Sequence, residues 1–312
     1  MNIIVEFPSE GATLRGRLYL PTRTTRPIPI VIMAHGFSAT INGMVADQYA
    51  EAFVEAGFAV LLYDHRNFGI SDGEPRQQIN KWIQGRGYRD AISFALGRPE
   101  IDSSRIAIWG DSMSGAVAIA VGALDQRVKA VVAQVPACGS QLAPPDPDGS
   151  LFSDLSETFY HGDVSGTPET TIGPMPVVSF DQHSVPSMLP PLTAFRWFIE
   201  YGGRYGTLWE NSATIVTPIT KVPLHPGLCT PHYSVPLLMI IAIQDEMPGA
   251  ESDIARMVFD AAPQPKELVE IDGGHFGLLY HPGSLFEQAS NAQKDFLRKY
   301  LFVGEQKNGT NK

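Results

Sequence analysis

A chain of 312 residues, 44% hydrophobic and 18% charged, has ample apolar surface to bury, which excludes general disorder and fits either two domains or one core with a large insertion. Its formal net charge of -10 excludes a nucleic-acid binder, because no basic face is present to displace counterions from phosphates. Met1-Asn2-Ile3-Ile4-Val5-Glu6 lacks the charged and then apolar order of a secretory signal, and no apolar run reaches bilayer length, so a cytoplasmic protein without a membrane partner is expected.

Residues 3–7 and 14–20 carry short apolar and β-branched runs around Ser9-Glu10-Gly11, which predicts an antiparallel hairpin at a sheet edge. Pro29 to Ala34 and Phe58 to Tyr63 are apolar runs without polar alternation, the pattern of parallel strands buried on both faces. Between them, Met44 to Ala56 has helical spacing, with Val45, Tyr49, Ala52, Phe53 and Ala56 on one face and Gly57 as its stop. Trp82 to Leu96 repeats that spacing with Tyr88, Ala91, Ile92 and Ala95.

Next comes Ile106-Ala107-Ile108-Trp109-Gly110-Asp111-Ser112-Met113-Ser114-Gly115, followed by the small apolar stretch Ala116 to Leu124. A strand, a sharp turn and a helix in that order read as a nucleophile elbow, in which strained backbone lifts one hydroxyl clear of its neighbours. Only small residues fit two places either side of the nucleophile, which selects Ser112, with Gly110 before it and Ser114 after. Ser114 stands where glycine is usual, and the competing reading is an ordinary strand-to-helix turn with a serine cap.

Val128 to Ala133, Leu237 to Ile243 and Glu267 to Ile271 continue the strands, and Ser284 to Leu301 closes with a helix presenting Phe286, Ala289, Phe296 and Leu301. Alternating strands and helices predict an α/β fold, a doubly wound, mostly parallel sheet with ligands at the carboxyl ends of its strands. The alternation breaks between Gly139 and Ser234, 96 residues with 13 of the 25 prolines, nine acidic and three basic side chains, and one helix at about Leu192 to Trp209. A loop of that length without structure does not fit a compact domain, so an inserted cap over the strand ends is expected. The division is core 1–138, cap 139–234, core 235–303 and polar tail 304–312.

A serine hydroxyl needs a base within hydrogen-bond reach and a third group to orient that base. For an elbow serine the chain order is serine, acid, histidine. Of eight histidines, His275 follows the last strand in the flexible setting Asp272-Gly273-Gly274-His275-Phe276-Gly277, while His281 is followed by Pro282 at a helix start. The acid belongs at the end of the preceding strand, where Gln244-Asp245-Glu246-Met247-Pro248 offers Asp245 first and Glu246 second; either could instead cap the next helix. The oxyanion donors expected are the backbone N–H groups of Met113 and Phe37, with Gly36 allowing close approach and His35 packing behind.

Residues 28–136 and 235–300 resemble the serine-dependent α/β-hydrolase superfamily through His35-Gly36-Phe37, the stretch Tyr63-Asp64-His65-Arg66-Asn67-Phe68-Gly69-Ile70-Ser71-Asp72-Gly73, Gly110 to Gly115, and Gly274-His275. The Tyr63 to Gly73 stretch and Asp245 to Ala250 are similar to a branch near dienelactone hydrolases and Xaa-Pro peptidase-like hydrolases, which includes fungal biosynthetic thiohydrolases and polyketide acyltransferases. Dienelactone hydrolases use cysteine where Ser112 stands, so their substrate does not carry over. The resemblance implies structural roles for Asp64 and Arg66, as a charge pair bracing the loop beside the elbow.

The expected function is hydrolysis of a carboxylic ester, lactone or thioester through an acyl-serine, on a small neutral and fairly hydrophobic substrate, with Phe37, Met188, Phe195 and Phe198 as substrate contacts. The excess of six acidic charges in 139–234 disfavours polyanions. An acyltransferase using the same residues, or a non-catalytic ligand-binding protein on the same fold, are the alternatives. No cofactor is required. No metal is expected either, since H-E-x-x-H is absent and His161, His183, His225 and His232 are scattered. Cys138 and Cys229 read as reduced buried thiols, and a homodimer stays open.

Overall fold

The computed structural model describes residues 2–22 and 27–302. The proposed tail, 304–312, lies outside the described residues.

The chain begins with β1 (Asn2–Ser9) and β2 (Ala12–Tyr19), an antiparallel pair closed by Glu10 and Gly11 at φ 47° and 74°. Two positive φ values in a two-residue turn match the twist of the strands they join. Then follow β3 (Ile28–Ala34), α1 (Ala46–Glu55), β4 (Ala59–Tyr63), the two-residue β5 (Gln78–Ile79), α2 (Lys81–Leu96), β6 (Ile101–Asp111), α3 (Ser112–Leu124) and β7 (Val128–Gln134). After a long excursion, β10 (Leu237–Ala242), α7 (Ser252–Asp260), β11 (Lys266–Ile271) and α8 (Ser284–Leu301) complete the main body.

The main sheet has eight strands in the order β1-β2-β4-β3-β6-β7-β10-β11. β1 and β2 are antiparallel, and the six strands from β4 to β11 run parallel. Every residue of β3, β4 and β10 is buried, as continuous apolar runs require when helices cover both faces. Alternate side chains serve opposite layers. Ile30 and Ile32 belong to the apolar layer that also holds Tyr88 and Ile92 of α2, Val121 of α3 and Val258 of α7, whereas Val31 and Met33 belong to the layer that holds Phe53 of α1 and Phe296 of α8. Each such side chain stabilises the fold by roughly 1.5–3 kcal/mol relative to exposure, so both faces are held firmly and the strand ends are fixed platforms.

Residues 139–234 hold α4 (Ser150–His161), β8 (Pro168–Met175), α5 (Leu192–Trp197), β9 (Ala213–Pro218) and α6 (Pro226–Cys229). A second sheet has the order β5-β9-β8, with β5 parallel to β9 and β8 antiparallel to it. One of its strands thus comes from outside the segment. The helix expected at Leu192 to Trp209 is shorter: α5 gives way to a π-helical turn, Phe198–Gly202, and the helix stops there. Gly203 and Gly206 follow, and Trp209 folds back so that its ring lies 5.2 Å from Phe198, on the space a side chain at Gly202 would need. α4 escapes the sequence pattern because prolines crowd its approach. Asp146 starts it by accepting the N–H groups of Leu151 (3.0 Å) and Phe152 (2.9 Å), and Leu155 and Phe159 face the core.

Candidate active site

β6 runs into α3 with no intervening loop, and Ser112 is the hinge between them. Its φ of 53° is left-handed, a conformation that costs a non-glycine residue on the order of 1–3 kcal/mol and is held only by surrounding structure. Gly110 is part of that structure: a Cβ there would lie 2.2 Å from the Ser114 carbonyl oxygen. Gly110→Ala should therefore cost about 3 kcal/mol or more, read as a lowered midpoint in chemical denaturation, and an unchanged midpoint would contradict the tight turn.

Ser114, the departure from glycine, has work of its own. Its hydroxyl donates to the His35 carbonyl (2.5 Å) and accepts from His65 Nε2 (2.8 Å). Burial pushes the His65 imidazole down to about 3, so the ring is neutral, with its proton on Nε2 and its buried Nδ1 without a partner among the described residues. The small residue two places after Ser112 thereby ties the elbow to the loop that follows β3.

In that loop Gly36 N–H donates to Asp111 Oδ1 (2.9 Å), and a Cβ on Gly36 would sit 3.0 Å from the Ser112 Cβ. Glycine lets the loop press against the elbow, which brings Phe37 and Met113 onto the wall of the cavity that Ser112 opens into. His35 is buried beside Asp111, its Nδ1 3.2 Å from the carboxylate, and its Nε2 meets the Met44 carbonyl. Burial opposes the charge on His35 but the Asp111 carboxylate outweighs it, and the pKa is raised.

His275 opens a short 3-10 turn after β11 and Asp245 lies in the loop after β10. His275 Nε2 is 2.9 Å from Ser112 Oγ, and Nδ1 is 2.8 Å from Asp245 Oδ2. Since an ionised carboxylate can only accept, Nδ1 carries the proton and Nε2 faces the hydroxyl as acceptor. Asp245 Oδ1 accepts the Met247 N–H (3.0 Å), which fixes the carboxylate. Both side chains are 2% exposed, so water screens the pair little.

Glu246, the second acid considered, meets the backbone of His275 rather than its ring. One oxygen accepts the His275 N–H (2.9 Å) and the other the Thr193 hydroxyl at the start of α5. Gly274 makes room, since a Cβ there would stand 2.5 Å from the carboxylate. Glu246→Gln keeps one acceptor and loses the charge, and should lower kcat about tenfold through a looser histidine loop; a loss as deep as that of Asp245→Asn would reverse the two roles. His281 is elsewhere, its ring 4.6 Å from Phe286, and Asp272 accepts from Gln244 at the surface.

The cavity measures about 350 Å³, within the range of small-molecule sites. Ser112 and His275 share its wall with Phe37, Met113, Met188 and Phe198. Phe195 does not line it. α5 turns Ala194 and Trp197 inward, which leaves Phe195 half-buried with its ring 5.8 Å from Phe180. Lys81, the first residue of α2, is on the wall and went unremarked in the sequence; a base where helices favour acids was the available signal.

The charge pair expected of Asp64 and Arg66 is absent among the described residues. Asp64 accepts the N–H groups of Ile41 and Ile70, both at 2.9 Å, and burial pushes its carboxyl up to about 6. Gly69 and Ile70 fold over that carboxylate, so backbone amides satisfy it, and Arg66 Nε is buried without a hydrogen-bond partner among the described residues. Among the described residues no group of three or more His, Cys, Asp or Glu is placed to hold a metal ion. No helix among them is long and apolar enough to cross a membrane.

The profile of the X-Pro dipeptidyl-peptidase (S15) family matches residues 10–145. A thiohydrolase of Aspergillus aculeatus, aneE, is 32% identical over 308 residues, covering 95% of this chain and 93% of its own. The polyketide transferase grgF of a Penicillium species is 29% identical over 300 residues, covering 95% and 96% of the two chains. The crystal structure of that α/β hydrolase from Penicillium sp. sh18 superposes with a TM-score of 0.72 at 25% identity, covering 97% of this chain and all of the other. With that near-complete likeness laid over the parallel sheet and its strand-turn-helix serine, the chain belongs to the α/β-hydrolase superfamily, in the branch of the fungal thiohydrolases and polyketide transferases, and is a hydrolase-type enzyme.

Proposed function

We propose that this enzyme cleaves a carboxylic ester, lactone or thioester through an acyl group carried on Ser112. The hydrogen-bonded series Asp245–His275–Ser112, at 2.8 and 2.9 Å, is the observation that carries the reading. Ser112 Oγ attacks the carbonyl carbon while its proton passes to His275 Nε2, and Asp245 stabilises the resulting imidazolium. The N–H groups of Phe37 and Met113 receive the oxyanion. The leaving oxygen or sulfur departs with the proton from His275, and water, deprotonated by the same nitrogen, then releases the acid.

Residues 139–234 act as the cap over this chemistry, supported by the second sheet they build and by the cavity wall that Met188 and Phe198 supply. Mainly apolar walls favour a hydrophobic acyl group. A cytoplasmic enzyme acting on small molecules, without nucleic acid or a membrane as partner, accords with the net charge and with Cys138 and Cys229 as free buried thiols; a homodimer is compatible with the same reading. The likeness to a polyketide transferase supports a second reading, in which an alcohol or amine replaces water as acceptor. Labelling with a fluorophosphonate, followed by mass mapping, should place the adduct on Ser112. An adduct elsewhere would overturn the assignment. Product analysis with and without added alcohols or amines separates hydrolysis from transfer.

A further inference from the structure

We propose that Lys81 anchors a carboxylate of the substrate, so that the enzyme takes a monoanionic ester or thioester with an apolar body between the scissile carbonyl and the acid. This inference rests on the acyl-serine reading of the same cavity and names the class of compound that fills it.

Lys81 lies on the cavity wall with Ser112 and His275. It is close to the nucleophile through the backbone: Ala137 N–H donates to the Ser112 carbonyl (2.9 Å), and the next residue, Cys138, has a thiol that senses the Lys81 charge. Water reaches the Lys81 side chain, yet burial lowers its pKa. Its place on the cavity wall accounts for both.

Among the described residues no side chain is paired with this ammonium: Lys81 has neither an ion pair nor a hydrogen bond from its side chain. Two titratable neighbours, Cys138 and His225, feel its charge. Burial pushes the Cys138 thiol up to about 12, and burial lowers the His225 imidazole. Lys81 is also the first residue of a sixteen-residue helix whose first turn holds no acid, where the helix dipole repels a cation. The N–H groups of Trp82 and Ile83 at this helix end are already taken by the Asn80 side chain, so an incoming anion would meet the ammonium of Lys81 as its contact.

The rest of the wall defines the remainder of the ligand. Ile79, Ile172, Met188, Phe198 and Ile215 offer carbon surface, so one acid at the end of a hydrocarbon chain or ring fits where a polyanion does not. The acidic excess of residues 139–234 acts at long range on polyanions, whereas Lys81 acts at contact on a single carboxylate. Discrimination in the cavity is therefore local.

The test uses two matched pairs of esters. In one the acid is on the acyl side, p-nitrophenyl hydrogen adipate against p-nitrophenyl hexanoate. In the other it is on the leaving side, the hexanoyl ester of 4-hydroxybenzoate against that of p-cresol. The intact enzyme should prefer the acidic member of one pair by about tenfold or more in kcat/KM, carried by KM, the size of a charge-assisted hydrogen bond. Lys81→Met should lower that preference about tenfold, and Lys81→Arg should keep it within about threefold. A preference for the neutral member of both pairs, or a ratio unmoved in Lys81→Met, overturns the anchor. Turnover in Ser112→Ala within about tenfold of the intact enzyme would instead overturn the acyl-serine reading, while the ratios in the intact enzyme would still report on Lys81.

Discussion

Ser112→Ala and His275→Ala should each lower kcat by roughly four to six orders of magnitude, and the double variant by little more than either. The reason is that neither group acts alone. Without the imidazole, the Ser112 proton has no acceptor at 2.9 Å, and without the hydroxyl, the imidazole has nothing to deprotonate. What survives is the contribution of the oxyanion donors and of substrate binding. Alanine at 112 inherits the same left-handed backbone as serine, so circular dichroism and the denaturation midpoint should stay close to those of the parent. Single-turnover rates of all three variants on one activated ester check the expectation, and losses that multiply in the double variant would separate the two residues.

Asp245→Asn should cost roughly three to four orders of magnitude with the fold intact, because the change reverses a hydrogen bond. The carboxylate accepts from Nδ1–H and leaves Nε2 bare to take the proton of Ser112. An amide held by Met247 N–H through its oxygen turns its NH₂ toward Nδ1, which then must be the unprotonated nitrogen, and Nε2 carries the hydrogen instead. A ring in that tautomer points a donor at the hydroxyl. Glu246 cannot take over, since its two oxygens are occupied by the His275 backbone and by Thr193. A pH–rate profile of Asp245→Asn on an activated ester, set beside that of Glu246→Gln, distinguishes ring orientation from loop support.

Apolar runs such as Ile30 to Ala34 and Leu237 to Ala242 made the parallel sheet legible, because burial on both faces removes polar alternation and few other structures do so. Ser112 stood out for steric reasons that sequence carries directly, namely small residues around a tight turn. Asp245 and Glu246 were harder to separate. Both follow the same strand, and which one meets a ring thirty residues away depends on the course of the Gly274 loop, which no local pattern records. Asp64 shows a similar limit: a charge near an arginine suggests a pair, yet two backbone amides that fold over it satisfy it first. Helical period carried the expectation past Gly202 to Trp209, although the glycines at 202, 203 and 206 and the folding back of Trp209 end the helix early. Phe195 and Lys81 mark the same boundary in the cavity, since a helix has one inward face and its rotation is set by packing.

The short strand β5 bears on how a substrate gets in and out. Gln78 and Ile79 pair with Thr214 and Ile215, Thr214 N–H reaches back to the Gln77 carbonyl (2.9 Å), and Thr193 grips Glu246 on the other side. These seams are joined by others, such as Arg86 on the carbonyls of Thr158, Phe159 and Gly162 and Trp197 on that of Leu279, so swinging residues 139–234 away as a rigid flap would tear them all. With that segment staying in place, slender acyl groups are expected to be turned over faster than branched ones of equal carbon count, which a panel of isomeric esters checks.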